Sequence, residues 1–194
     1  MNNPHGEVIA AMGKHNKFTF RQHSRRAAIV VYDWIAAIVA ALTVILIVLT
    51  YLLRIVAVDG DSMIPTMQDG DRLLLTYTSS GLEQGDIVVI DRYDTAPLIK
   101  RVIASGGDTI EIVNSKVYVN NVLLVEPYIK GTTSPRDMDA KITIPPGYIF
   151  VMGDNRTVSK DSRMNVVGLI SEKDVVGKAR WCIWPPESFG SIYD

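Results

Sequence analysis

Residues 109–124, TIEIVNSKVYVNNVLL, set short runs of branched and aromatic residues on either side of Asn120-Asn121. Asparagine tolerates positive φ, so this pair predicts the turn of a β-hairpin. The same texture extends in both directions: RLLLTY (72–77), DIVVI (86–90) and LIKRVIA (98–104) precede it, and KITI (141–144) and YIFVM (148–152) follow. Gly-Asp, Gly-Gly and Pro-Pro-Gly punctuate these runs as turn signals. No internal repeat is apparent. Nor does any helical pattern of length follow residue 54, so residues 54–194 predict a mostly β domain of coiled antiparallel sheets.

Upstream the pattern changes. Ala27 to Val58 is nearly free of charge, and WIAAIVAALTVILIVLTYLL (34–53) contains none. Twenty residues of helix span about 30 Å, the hydrocarbon thickness of a bilayer. Trp34 and Tyr51 suit the two interfacial belts. The apolar run is too long for a cleaved signal peptide and lacks the polar face of a soluble core helix. Residues 27–53 are therefore expected to form a retained transmembrane anchor in the lipid bilayer. Residues 1–26, a polar tail, carry five of the chain's 20 Lys/Arg against the single acid Glu7. By the positive-inside rule this tail is cytoplasmic, which leaves residues 54–194 outside the cytosol.

Charge and residue usage narrow the function. The remaining fifteen basic groups in 54–194 face nineteen acids, the reverse of what a nucleic-acid binder needs. One cysteine, Cys182, excludes an internal disulfide framework and any multi-cysteine metal site; it reads as a half-buried hydrophobe on a terminal strand. All three histidines (His5, His15, His23) precede the anchor, so the expected topology keeps them from the main domain. No Ser-His or Cys-His pair can then assemble there, nor a histidine metal site. No cofactor is called for.

A serine in such a domain needs another base. A lysine serves when burial disfavours its ammonium form, which lowers the pKa by up to about 3–5 units. In PLIKRVIA, strand alternation puts Lys100 on a face with Leu98, Val102 and Ala104, and Ile99, Arg101 and Ile103 on the other. Lys116, Lys130, Lys141, Lys160, Lys173 and Lys178 lie near turns or among polar residues. Lysines on half-buried strands commonly extend to water, so alternation favours Lys100 without selecting it. A second constellation, GDNRTVSKDSR (153–163), has the composition of a solvated loop. It is also suited to locking: Asp161 can pair with Arg163, Asn155 can tie a turn, Ser159 can donate to a buried amine, and Gly153 can permit close backbone approach.

The motifs in order are Ser-Met-x-Pro-Thr (62–66) just beyond the anchor, Gly-Asp before an apolar strand (85–90), Lys-Arg-Val-Ile (100–103) and Gly-Asp-Asn-Arg-x-x-Ser-x-Asp-Ser-Arg (153–163). Together they resemble the type I signal peptidases, in the compact single-anchor serine–lysine form typical of Gram-positive bacteria. The likeness runs from about Tyr32 to the Trp-Pro-Pro at 184–186. It implies a membrane-bound serine endopeptidase that cleaves signal peptides from secretory preproteins after small-x-small junctions. Ser62 would be the nucleophile and Lys100 the general base. The Ser62 backbone N–H would serve the oxyanion, and Ser159 would orient the lysine amine. Asp161 and Arg163 would form a structural pair near the site, with Asp154, Asn155 and Arg156 as further support. Met63 and Pro65 would shape the turn presenting Ser62. The implied fold is a β catalytic core with a small β insertion at roughly 111–147. The resemblance assigns no oligomeric state.

Three departures stand out. Gly60 occupies a position where many Gram-negative relatives carry an oxyanion-donating serine. Met67 stands where leucine is usual, and ASGGD (104–108) replaces Gly-x-Pro-Gly-Asp. Two other readings remain open on sequence alone: a LexA-like self-cleaving regulator, and a membrane-anchored β-rich binding protein.

Overall fold

A computed structural model describes residues 30–48, 50, 53–77, 81–92, 96–138 and 140–193. The cytoplasmic tail expected at 1–26, with its three histidines, lies outside the described residues. The chain divides into two units, residues 1–50 and 51–194.

In the first unit, Val30–Val48 forms one helix, α1, long and apolar enough to cross a membrane. Its side chains are exposed all round, among them Tyr32, Trp34, Leu42 and Leu46. An apolar helix of this length with no polar face is matched to a hydrocarbon environment.

The second unit is mostly β. Its strands are β1 (Leu53–Ala57), β2 (Arg72–Thr76), β3 (Ile87–Ile90), β4 (Leu98–Ser105), β5 (Thr109–Val113), β6 (Lys116–Val119), β7 (Val122–Leu123), β8 (Ile142–Thr143), β9 (Tyr148–Met152), β10 (Ile170–Ser171), β11 (Val175–Trp184) and β12 (Gly190–Ser191). Eight pair antiparallel in the order β1-β2-β11-β3-β4-β9-β10, with β12 on β11. The other four form a smaller antiparallel sheet, β7-β6-β5-β8. The hairpin expected at Asn120-Asn121 joins β6 to β7, with Val119 opposite Val122 and φ of 53° and 64° at the two asparagines. Leu53, placed in the anchor by hydropathy, instead opens β1 opposite Thr76.

The ten-residue strand β11 is met in the sequence only at Cys182, as a terminal strand, and its extent is not. VVGKARWCIW interrupts its apolar residues with Lys178, Arg180 and Gly177, which hides the alternation. Its ladder shifts register at three places, against β3 and twice against β2. Bulges of this kind bend a strand and raise its twist, which is how one sheet coils. Cys182 is buried in β11, opposite Leu73 of β2 and Gly190 of β12, deeper than the half-burial expected of it.

Strand β4 is buried along nearly its whole length, on both faces. Ile99 packs with Met63, Met67, Leu73 and Ile87, whereas Val102 packs with Val88, Ile149 and Val151. A register shift between Val102 and Ala104 breaks the expected alternation, so Ala104 joins Ile103 against Ile110, Val117 and Phe150. Each such aliphatic burial stabilises by about 1.5–3 kcal/mol. A strand held on both sides in this way is a rigid carrier for Lys100 and Arg101.

Candidate active site

Ser62 sits in the turn between β1 and β2. Met63 and Met67, both 1% exposed, plug into the core from that turn, and Met67 N–H donates to the Met63 carbonyl at 3.1 Å. Pro65 is exposed and follows Ile64 through a cis peptide bond. These residues fix the turn from below and leave Ser62 half-buried at its top.

Lys100 projects from β4, opposite Val88 of β3. Its Nζ donates to Ser62 Oγ at 2.8 Å and to the Ile99 carbonyl at 2.8 Å. The side chain is 3% exposed. Burial lowers its pKa from 10.5 to about 8, against the opposing pull of the Asp161 and Asp154 carboxylates. Lys100 therefore leads the list of lysines on geometry as well as alternation. Lys178, read as a turn-side lysine, is also buried, and its Nζ meets Asp86 at 2.5 Å. That ion pair, with a further hydrogen bond to the Gly81 carbonyl at 2.7 Å, commits Lys178 to the framework.

The 153–163 segment is no solvated loop: Asp154, Arg156, Ser159, Asp161 and Arg163 are all at most 1% exposed. Asn155 holds the Ser62 turn twice, its N–H donating to the Ser62 carbonyl and its Nδ2 to the Asp61 carbonyl, both at 3.0 Å. Arg163 pairs with Asp161 through Nε and Nη2, each at 2.8 Å, and Gly153 N–H donates to Asp161 at 3.1 Å. Burial alone would raise the Asp161 pKa; the Arg163 guanidinium reverses that and holds the carboxyl below its usual range. Ser159 Oγ is buried beside Asp161, where its hydroxyl helps hold that carboxyl down, and it has no other hydrogen-bond partner among the described residues. A Cβ on Gly153 would lie 2.3 Å from that Oγ and 2.5 Å from the Ser62 carbonyl oxygen. The missing side chain at 153 is what lets Ser159 and the Ser62 turn meet.

Asp154 receives a bidentate ion pair from Arg101, 2.9 Å to Nε and 2.7 Å to Nη2, and a 2.5 Å hydrogen bond from Thr66 Oγ1. Arg101 also donates to the Gly85 carbonyl at 3.0 Å, and its guanidinium stacks 3.9 Å from the Tyr128 ring centre. Arg156 reaches the Gly153 carbonyl at 3.1 Å, Thr133 at 2.9 Å and the Glu126 carboxylate. Thr66 and Arg101 stand in the sequence motifs without an assigned role, and Glu126, Tyr128 and Thr133 were not singled out from sequence. Apolar flanks of the Lys-Arg pair are the signal available for Arg101; the insertion residues Glu126, Tyr128 and Thr133 carry no local signal, because their partners lie 23 to 30 positions away.

Gly60, the position of the serine missing from this chain, directs its N–H to Asp69 Oδ1 at 2.8 Å. It is not free to meet an oxyanion. The Ser62 N–H, by contrast, has no acceptor among the described residues.

Residues 31–184 match the family model described as "Signal peptidase, peptidase S26". The chain is 36% identical over 176 residues to "Signal peptidase IB" of Staphylococcus aureus strain Mu50, covering 81% of this chain and 91% of that one. It is 33% identical to "Signal peptidase I" of Bacillus amyloliquefaciens, covering 90% and 96%. A crystal structure of a signal peptidase I from Enterococcus faecalis V583 aligns with a TM-score of 0.44 at 27% identity, covering 51% of this chain and 97% of that one.

Proposed function

The chain belongs to the type I signal peptidases of peptidase family S26, and on that premise we propose that it cleaves secretory preproteins through a Ser62–Lys100 dyad. The observation that carries this reading is the 2.8 Å approach of the Lys100 amine to Ser62 Oγ in a site where the amine is desolvated. Neutral Lys100 accepts the hydroxyl proton as Ser62 Oγ attacks the scissile carbonyl. The resulting ammonium gives that proton to the leaving amine, and a water activated by the same amine hydrolyses the acyl-enzyme. The Ser62 N–H is the oxyanion donor supported by its unpaired state; a good donor contributes about 3–4 kcal/mol to the barrier reduction. Ser159 Oγ, beside Gly153 and Asp161, orients the amine once a proton has moved. The substrate lies extended along exposed backbone, with small side chains at the first and third positions before the cut.

The apolar helix α1 supports a membrane-anchored enzyme, with its N-terminus cytoplasmic and residues 54–194 outside the cytosol. The decisive experiment incubates the detergent-solubilised protein and its Ser62→Ala and Lys100→Ala variants with a secretory precursor. Cleavage after a small-x-small junction by the parent alone is expected. Undiminished processing by either variant rules out the dyad.

A further inference from the structure

The β3–β11 ladder contains a side chain where backbone should be. Its pairs run Val175 with Ile90, Gly177 with Val89 and Lys178 with Val88, and the next pair in that register is Ala179 with Ile87. Those two do not bond directly. The Tyr193 hydroxyl stands between them, accepting the Ile87 N–H at 2.9 Å and donating to the Ala179 carbonyl at 2.9 Å. A direct backbone bond would close a donor–acceptor gap of about 2.9 Å; here two bonds in series hold the strands apart. The parting is where β11 leaves β3 while its pairing with β2, begun at Lys178 with Thr76, continues through Ala179 with Leu75.

The location bears on the reaction. Ile87 is the cross-strand partner of Arg101, and its neighbour Val88 is the partner of Lys100. The Tyr193 ring also lines a cavity with Arg101, Thr66 and Tyr128, facing the Arg101–Asp154 pair that Thr66 ties to the nucleophile turn. The tail reaches this place through β12, and Ile192 is buried in the core beside it.

We infer that Tyr193 is a positioning residue for the peptidase reaction: its hydroxyl sets the spacing of β3 from β11 and thereby the station of β4, which carries Arg101 and Lys100. The inference rests on the dyad reading above. Without the hydroxyl, Ile87 either closes on Ala179 or admits water, and β4 shifts with it. A displacement of the base by about 1 Å can cost up to about a hundredfold in rate.

The test compares Tyr193→Phe, which keeps the ring, with Ile192→Ala, which loosens the same tail but keeps the hydroxyl. Parent and Lys100→Ala are run alongside, all full-length in detergent with a precursor substrate, and kcat is corrected for the folded fraction. Tyr193→Phe is expected to lose about tenfold in kcat with KM unchanged and little change in Tm. Ile192→Ala should lower Tm and keep kcat. Parent-like kcat in Tyr193→Phe overturns the inference, as does a loss of kcat that tracks Tm in both variants or a Tyr193→Phe protein that does not fold. Activity surviving in Lys100→Ala sinks the dyad itself; an inactive Lys100→Ala beside a parent-like Tyr193→Phe sinks only the role of the tyrosine.

Discussion

The Ser62 carbonyl oxygen lies 2.5 Å from the point that a Cβ on Gly153 would occupy, a separation no real pair of such atoms tolerates. The obstruction is backbone on one side and the Ser159 side chain on the other. Neither can retreat without moving the nucleophile or the residue beside it. Gly153→Ala is therefore expected to lose at least about a hundredfold in kcat/KM through misplacement of Ser62. Kinetics on a precursor substrate check this, and near-parent activity would mean the turn has slack that the packing denies.

Rate should follow the protonation of Lys100. With the amine titrating at about 8, kcat/KM rises with unit slope from acid pH and levels above that value. Asp161 pulls this pKa upward, so Asp161→Asn lets it fall further and moves the acid limb to lower pH. The same change breaks a buried pair with Arg163 and costs about 3–5 kcal/mol of stability, so the profile must be taken well below the melting transition. A limb that stays put, or moves upward, refutes the assignment of the titrating group.

The base burdens the fold at neutral pH. Its folded pKa of about 8 lies below the ordinary 10.5, so the folded state binds fewer protons than the unfolded chain between those values. Stability then rises with pH across that window, and below about pH 8 the full penalty of roughly 3 kcal/mol applies. Lys100→Met should be inactive yet more stable than the parent at pH 7. The gap should narrow from pH 8 to 10.5, as thermal unfolding at several pH values will reveal.

Much of this architecture could be read in advance because its signals are local. Short branched runs broken by turn residues expose most strands, and Asn120-Asn121 marks its hairpin because both residues adopt positive φ. Asp161 and Arg163 are two positions apart and pair as their spacing suggests. The extent of strand β11 escaped, beyond the terminal strand read at Cys182, because Lys178 and Gly177 mask its period. Lys178 sits inside only because Asp86, 92 positions away, neutralises it. The Ser62 turn and the 153–163 segment meet through Asn155, a contact set by folding and invisible to periodicity. Spacing gives no reason for Ser62 and Lys100, 38 positions apart, to meet; only the order of the motifs links them.

Thr66 connects the nucleophile turn to the charged pair behind the base. Its Oγ1 donates to Asp154 Oδ2 at 2.5 Å, while Asp154 holds Arg101, the residue next to Lys100. Hydrogen bonds to a charged group contribute about 1.5–3 kcal/mol, and valine preserves the shape of threonine without the donor. Thr66→Val should therefore lose about 1.5–3 kcal/mol of unfolding free energy, measured by denaturant titration. The Arg101–Asp154 pair remains bidentate in the variant, so the domain should still fold. What it loses is the tie that fixes the turn to β4, so kcat should fall while KM, set by distant contacts with the precursor, holds. Thr66→Ser restores the hydroxyl and should recover most of both losses. A valine variant with parental stability and kcat would show that the packing of Met63 and Met67 alone suffices to hold Ser62 against Lys100.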